Sequence, residues 1–253
     1  MSIFIQYDQW GRMGNRMFQY AFGHILATLK NCEVYSDDIP NFNIIGKTTT
    51  LQPINPIYTK NYGDNYVDLN ELLETDRDIV INSFLQRAEY YIEYRDVLRN
   101  LFVRPSTIQN TNKLIVHIRE TDYTQINAFL GYEFYLNLIK STNYSDIIIV
   151  TDNSNCETVQ RLLSEGCKLN SEGYVSKFEH TCDDRGMYDF KTLLESENIA
   201  ISQSSYSWMA AFLGDHKRII FPFSRERGLW FIEPSSKDVD LYFNFGFSEK
   251  FIL

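Results

Sequence analysis

Side chains capable of chemistry concentrate in three short peptides in the second half of the chain. They are His117-Ile118-Arg119-Glu120-Thr121-Asp122, Thr151-Asp152-Asn153 and Ser202-Gln203-Ser204-Ser205. Each lies at the end of an apolar run of strand length, over 114–118, 146–150 and 199–201. An arginine presents a planar fork of N–H donors that fits a carboxylate or a phosphate. A serine-lined segment opening a helix adds free backbone N–H groups and the positive end of the helix dipole, and both favour an anion. Arg119 with Ser204 and Ser205 can therefore hold a diphosphate without a metal, while Asp152 can accept hydrogen bonds from a base or a ribose at the same edge. Each residue also has a plainer use. A serine there can be only an N-cap, His117 a satisfied core histidine, Thr151-Asp152-Asn153 a turn bonded to its own backbone, and Arg119 a surface partner of Glu120. Their joint occurrence at successive strand ends favours a nucleotide site, because parallel α/β sheets bind ligands outside the carboxyl ends of their strands.

The elements that must position these residues follow from the apolar periodicity. Met1 to Tyr7 is expected to form a strand, followed by a tight turn at Gly11 to Gly14. A helix over about 15–30 carries Met17, Phe18, Ala21, Phe22, Ile25, Leu26 and Leu29 at 3.6-residue spacing. Residues 36–66 are rich in Asn, Thr and Pro and are expected to be loop. A strand is expected over 79–85 and a helix over 89–101. The polar stretch 105–112 interrupts the pattern, so a boundary is placed there, between a domain over 1–105 and one over 106–253. The second half then alternates: strand 114–118, helix 133–141, strand 146–150, helix 156–166, helix 187–196, strand 199–201, helix 205–213 and strand 218–221. Short apolar strands alternating with helices predict βαβ units and a parallel sheet, an α/β fold.

Composition narrows the function classes. The chain has 253 residues, of which 44% are hydrophobic and 23% charged. These values exclude a disordered, fibrous or disulfide-built protein. A net charge of −9 argues against nucleic acid as the main partner, but not against a small phosphorylated ligand held by an arginine. Aromatic residues reach 15%, enough for a ring-rich core and for rings that face sugars. The N-terminal sequence lacks a basic segment followed by a long apolar stretch, and no window approaches the ~18 apolar residues of a membrane span. Cys32, Cys156, Cys167 and Cys182 form no C-x-x-C pair. A soluble, cytoplasmic protein with reduced thiols is expected.

Several peptides carry a family resemblance. Gly11-Arg12-Met13-Gly14-Asn15-Arg16-Met17-Phe18-Gln19-Tyr20-Ala21 resembles the G-x-L-G-N-Q-x-F-Q-Y-A opening of glycosyltransferase family 11, the α-1,2-fucosyltransferases. His117 to Tyr123 is similar to that family's H-x-R-R-x-D-Y peptide, which it shares with α-1,6- and protein O-fucosyltransferases. Thr151-Asp152-Asn153 resembles its S-D-D segment, and Ser202 to Gly214 its S-N-S-S-F-S-W-W-x-A-x-L peptide. Ser83-Phe84-Leu85-Gln86, leading to Tyr90-Tyr91, resembles its G-Y-F-Q…Y-F segment. The matches run in family order from residue 11 to about residue 222. Glu120 departs from the pattern by replacing the second arginine, Gln203 replaces an asparagine, Arg16 a glutamine and Met209 a tryptophan.

The resemblance implies a GT-B architecture, with two Rossmann-like halves facing across a cleft and the donor in the C-terminal half. It implies transfer of L-fucose from GDP-β-L-fucose, with inversion, to a glycan hydroxyl such as O2 of galactose. It assigns Arg119 to the diphosphate, His117 to orienting Arg119 or the diphosphate, and Asp152 to the guanosine. Gly11, Gly14 and Asn15 would approach the donor, with Ser204, Ser205 and Ser207 beside it. Asp122 is expected to order the Arg119 loop, and Asp8, at the end of the first strand, is a candidate general base. No cofactor beyond the donor substrate is expected, and no metal, since no His/Cys cluster suggests one. Glu120 would bring a negative group near the diphosphate. That keeps two alternatives open: the same fold acting on another GDP-sugar, or a catalytically silent nucleotide- or glycan-binding protein.

Overall fold

The computed structural model describes residues 1–7, 11–62, 65–103, 108, 112–125, 129–171, 183–223 and 241–252. The boundary expected near 105 falls outside these residues. Residues up to 103 cluster into one compact unit, and the described residues over 108–171, 183–223 and 242–252 into a second.

The first unit contains β1 (Ile3–Ile5), α1 (Met13–Lys30), β2 (Val34–Tyr35), β3 (Ile57–Tyr58), α2 (Leu69–Glu74), β4 (Ile79–Ile81) and α3 (Arg95–Phe102). Its strands lie in the order β2-β1-β4-β3, all parallel, with Ile3 paired to both Val34 and Ile79. Helix α1 buries the expected stripe from Met17 to Leu26, but its last member, Leu29, is exposed. The helix starts at Met13, two residues earlier than expected, so Gly14 lies inside it. It ends where Asn31 takes the left-handed conformation and the N–H groups of Asn31 and Cys32 close on the Thr28 and Ala27 carbonyls.

Several expectations for this unit need correction: the strand expected over 79–85 ends at Ile81, β3 lies within the stretch expected to be loop, and the helix expected over 89–101 is shorter. Residues 88–94 form two 3₁₀ turns, and only 95–102 is α-helical. The cause is tertiary: Tyr90 exchanges hydrogen bonds with the Val67 backbone, and Tyr91 donates to the Leu85 and Phe18 carbonyls. Pulling both rings into the core over-tightens the backbone between them. Helix α2 stands where the sequence predicts no element. Asp68 starts it by accepting the Asn70 and Glu71 N–H groups.

The second unit contains β5 (Leu114–Ile118), α4 (Tyr132–Ser141), β6 (Ile147–Thr151), α5 (Glu157–Ser164), β7 (Lys168–Leu169), α6 (Asp184–Leu194), β8 (Asn198–Ala200), α7 (Ser205–Leu213), β9 (Arg218–Phe223) and β10 (Ser248–Ile252). The strands lie in the order β10-β9-β8-β5-β6-β7, again all parallel. Both units are thus α/β with parallel sheets. The short edge strands β7 and β10 were not expected; a two-residue strand and a half-exposed one leave little apolar signal. All five residues of β5 are buried, as a strand covered on both faces requires. Leu114, Val116 and Ile118 pack with Phe134 and Leu138 of α4 and Val159 and Leu162 of α5. Helix α7 is apolar almost all round and buried, with Trp208 stacked on Phe212 at 4.8 Å between ring centres.

The order of this second sheet positions the site. The chain enters at β5, builds β6 and β7 to one side, then returns to the other side of β5 as β8. Between β5 and β8 the direction of winding reverses, and at such a reversal the loops leaving two adjacent strands diverge to open a crevice. Among the described residues no helix is long and apolar enough to cross a membrane.

Candidate functional site

Strand β5 and the loop leaving it are each joined to the segment after β8 by one hydrogen bond. His117 Nδ1 lies 2.7 Å from Ser202 Oγ, and Tyr123 donates its hydroxyl to the Gln203 carbonyl at 2.9 Å. The imidazole is buried beside the Tyr206 ring, 5.5 Å between centres. Burial, helped by the positive charge of Arg119, lowers its pKa to about 3. At neutral pH His117 is therefore an uncharged ring that holds Ser202 in place. It is not poised to exchange a proton.

Arg119 follows β5 and is held by two carboxylates. Its Nε and Nη2 donate to the two oxygens of Asp122, each at 3.0 Å, and Nε lies 3.0 Å from Asp152 Oδ2. The guanidinium carbon stands 5.2 Å from the centre of the Tyr123 ring. Burial acts to lower the pKa of Arg119, but Asp152, Tyr123 and Asp122 outweigh it and raise the pKa, so the charge is secure. Asp152 also accepts the Glu120 N–H at 3.3 Å and the Thr121 hydroxyl, which in turn contacts Asp122 at 3.0 Å. The sequence aims Asp152 at a base or ribose; in the structure both its oxygens are engaged in ordering the Arg119 loop.

The segment after β8 leads directly into α7. Ser204 occupies the N-cap position without a capping bond from its own side chain, and no acidic residue stands in the first turn of the helix. Ser205 is the first helical residue and half-buried. Ser207 is fully buried and donates to the Ser204 carbonyl at 3.2 Å, so it secures the turn from inside. Gln203, only 3% exposed, leaves both amide atoms without a hydrogen-bond partner. A buried polar group left so costs stability.

Glu120, the residue that breaks the family pattern, is buried and faces the start of α5. Burial pushes its carboxyl above the ordinary range, while Thr158 and Cys156 side chains hydrogen-bond to it. It thus serves the N-terminus of α5, where an acid is favourable. The same sheet edge holds a group with no sequence signal. Asp189 of α6 is buried and accepts from Asn170 Nδ2 at 2.6 Å and Ser171 Oγ at 3.0 Å, both just beyond β7. Burial raises its pKa. Nothing local distinguishes an aspartate in an amphipathic helix from a solvent-facing one, so this pairing is visible only in three dimensions.

In the first unit, Gly11 and Gly14 are buried at the start of α1, and neither takes a positive φ. Asn15 Oδ1 accepts from Gln86 Nε2 at 2.7 Å, which ties the helix start to the loop after β4. Leu85, next to Gln86, adopts φ +55°, uncommon for a large side chain. Asp8 lies outside the described residues. Among those described, no group of three or more His, Cys, Asp or Glu could hold a metal ion. Cys32, Cys156 and Cys167 are free thiols, and Cys182 is not among the described residues.

No family model matches the chain, and no curated protein matches it in sequence. Solved structures do resemble it. A mutant of Arabidopsis thaliana FUT1 in complex with GDP aligns with a TM-score of 0.50 at 12% identity, over 86% of this chain and 69% of that one. The α-1,6-fucosyltransferase NodZ soaked with GDP-fucose aligns with a TM-score of 0.47 at 12% identity, over 86% and 93%. Fucosyltransferase NodZ from Bradyrhizobium gives 0.46 at 11% identity over the same shares. The likeness to FUT1 is one of fold.

Proposed function

We propose that this chain is an inverting glycosyltransferase that moves L-fucose from GDP-β-L-fucose to a glycan hydroxyl. In this reading the two α/β units form a GT-B pair, with the nucleotide on the second unit and the acceptor on the first. The observation that carries it is the junction at the β5/β8 reversal, where His117 of β5 and Tyr123 of the Arg119 loop are bonded to the segment Ser202–Ser205 that opens α7. A buried cation beside the start of a helix with no acid in its first turn forms a site for a diphosphate. The unpartnered amide of Gln203 beside them is a group that a polar ligand can satisfy. The resemblance of residues 11–21, 117–123 and 202–214 to α-1,2-fucosyltransferases supports fucose as the sugar and O2 of galactose as the acceptor atom.

The chemistry follows from where charge develops. As the glycosidic C–O bond to the β-phosphate breaks, the sugar gains oxocarbenium character and negative charge grows on the leaving phosphate oxygen. Arg119 and the N–H groups at Ser204 and Ser205 would meet that growing charge, stabilising the transition state more than the ground state. His117 acts as a neutral strut that sets Ser202 and, through it, the start of α7. Asp152 fixes the Arg119 loop from below. Gly11, Gly14 and Asn15 are assigned to the sugar side of the donor, and Asp8 is proposed to take the acceptor proton.

The test is GDP release from a panel of GDP- and UDP-sugars, with and without β-galactosides, by wild type and Arg119→Ala. Turnover confined to GDP-fucose, reduced in Arg119→Ala by about 10²–10³-fold, is the expected result. Turnover with another GDP-sugar would overturn the donor, and GDP binding without turnover on any acceptor would overturn the enzyme.

A further inference from the structure

Gln203 stands between two serines where β8 gives way to α7, on a segment held at three successive residues. The Ser202 hydroxyl lies 2.7 Å from His117 Nδ1, the Gln203 carbonyl accepts the Tyr123 hydroxyl at 2.9 Å, and the Ser204 carbonyl accepts from Ser207 at 3.2 Å. The side chain carried on this pinned backbone is 3% exposed, and neither its Oε1 nor its Nε2 has a hydrogen-bond partner among the described residues. Buried amides are ordinarily satisfied, and one that is not lowers stability. Methionine or leucine would fill a similar volume without that cost. The fold therefore gains nothing from the amide. A local rule broken at a fixed position beside a ligand site calls for a partner from outside the chain.

The atoms of the amide restrict that partner. A carboxamide offers two donors on nitrogen and an acceptor on oxygen. A phosphate only accepts: it can take the Nε2 hydrogens, but it leaves Oε1 facing oxygen with no proton between them. A hydroxyl both donates and accepts, so one hydroxyl, or two adjacent ones, meets both ends of the amide. The burial of Gln203 also requires a small group. Resting on the nucleotide-sugar reading of the second unit, the groups joined to the diphosphate are sugar rings, the ribose on one side and the transferred sugar on the other. We propose that Gln203 is a specificity-determining residue that reads a sugar hydroxyl next to the diphosphate, Nε2 donating to the hydroxyl oxygen and Oε1 accepting its hydrogen. A ligand without a hydroxyl there leaves the amide unmet, so Gln203 discriminates by sugar and not by charge.

The test is calorimetric titration of wild type and Gln203→Met with GDP-fucose, with GDP and with GDP whose ribose lacks both hydroxyls, together with melting of each protein alone. Gln203→Met is expected to melt at or above wild type and to bind GDP-fucose more weakly by roughly 5–50-fold. It should bind the dideoxy nucleotide as wild type does. GDP separates the two sugars. Weakening of GDP-fucose alone assigns the hydroxyl to the transferred sugar, and weakening of GDP as well assigns it to the ribose. Gln203→Leu gives the same readout should the methionine variant fail to fold. Equal weakening of all three ligands would place the amide on a phosphate or the base and overturn the proposal. Unchanged affinity for all three overturns it too, and a lower melting temperature in that case would show an amide satisfied inside the protein. Failure of wild type to bind any of the three would remove the nucleotide reading itself, an outcome distinct from a loss confined to the variants.

Discussion

His117 sits inside a strand with its imidazole buried against Ser202 and Tyr206, and burial with the Arg119 charge lowers its pKa to about 3. An unfolded histidine titrates near 6.5. Between about pH 6.5 and 3 the unfolded chain therefore binds a proton that the folded chain refuses, so stability from this residue is fully present above that window and is lost as pH falls through it. Glu120 and Asp189 act in the opposite direction, because burial raises their carboxyl pKa values and favours the fold toward acid. We expect His117→Asn to melt lower than wild type at pH 7 but to lose less melting temperature between pH 7 and pH 4. Parallel curves for the two proteins would show that His117 is not the acid-sensitive group. At this scale the sequence was partly legible. His117, Arg119, Asp122 and Ser204 stand at strand ends within short peptides, so their neighbourhood follows from local order. The pairing of Asp152 with Arg119 and of Asp189 with Asn170 joins residues distant in sequence, and no local pattern encodes it.

Among the elements, α7 matters most, because its first turn forms one wall of the crevice and its last turn anchors it. It ends at Gly214, where an added Cβ would lie 2.5 Å from the Leu194 carbonyl at the end of α6 and would collide with the His216 ring. That ring is itself held by the Ser196 and Ala210 carbonyls. Gly214→Ala is expected to destabilise the protein by about 1–3 kcal/mol, as overpacking does, measurable as a lower urea midpoint with unchanged slope. A midpoint equal to wild type would mean that α6 and α7 separate without cost. The alternation of apolar runs was sufficient to read β5, β6, β8, α4, α5 and α7, because each buries a continuous apolar face. It failed over 88–94, where buried tyrosines impose 3₁₀ turns, and at β7 and β10, whose pairing with neighbours rather than their composition makes them strands.

At the scale of the molecule, GDP should act on one unit. Hydrogen exchange with saturating GDP is expected to slow amides over 117–123 and 202–207, while β1 to β4 remain unchanged. A ligand at ~100 times its Kd adds about 2.7 kcal/mol to the state that binds it, so the slowing should reach roughly 100-fold where exchange needs opening of the site. Protection centred on the first unit would place the nucleotide there and overturn the assignment. The sequence by itself determined that the second half of the chain is α/β with a parallel sheet, because strand and helix periods depend on which side chains must leave water. It also placed Arg119 and Ser204 at strand ends, since the polar residues follow the apolar runs directly. Only the tertiary structure decided that β8 returns beside β5, which brings the two peptides together across the reversal. It alone showed Glu120 turned to α5 and Arg119 held between two carboxylates. Those arrangements depend on strand order and on charges meeting across long loops, and burial sets their strength only once the whole sheet has formed.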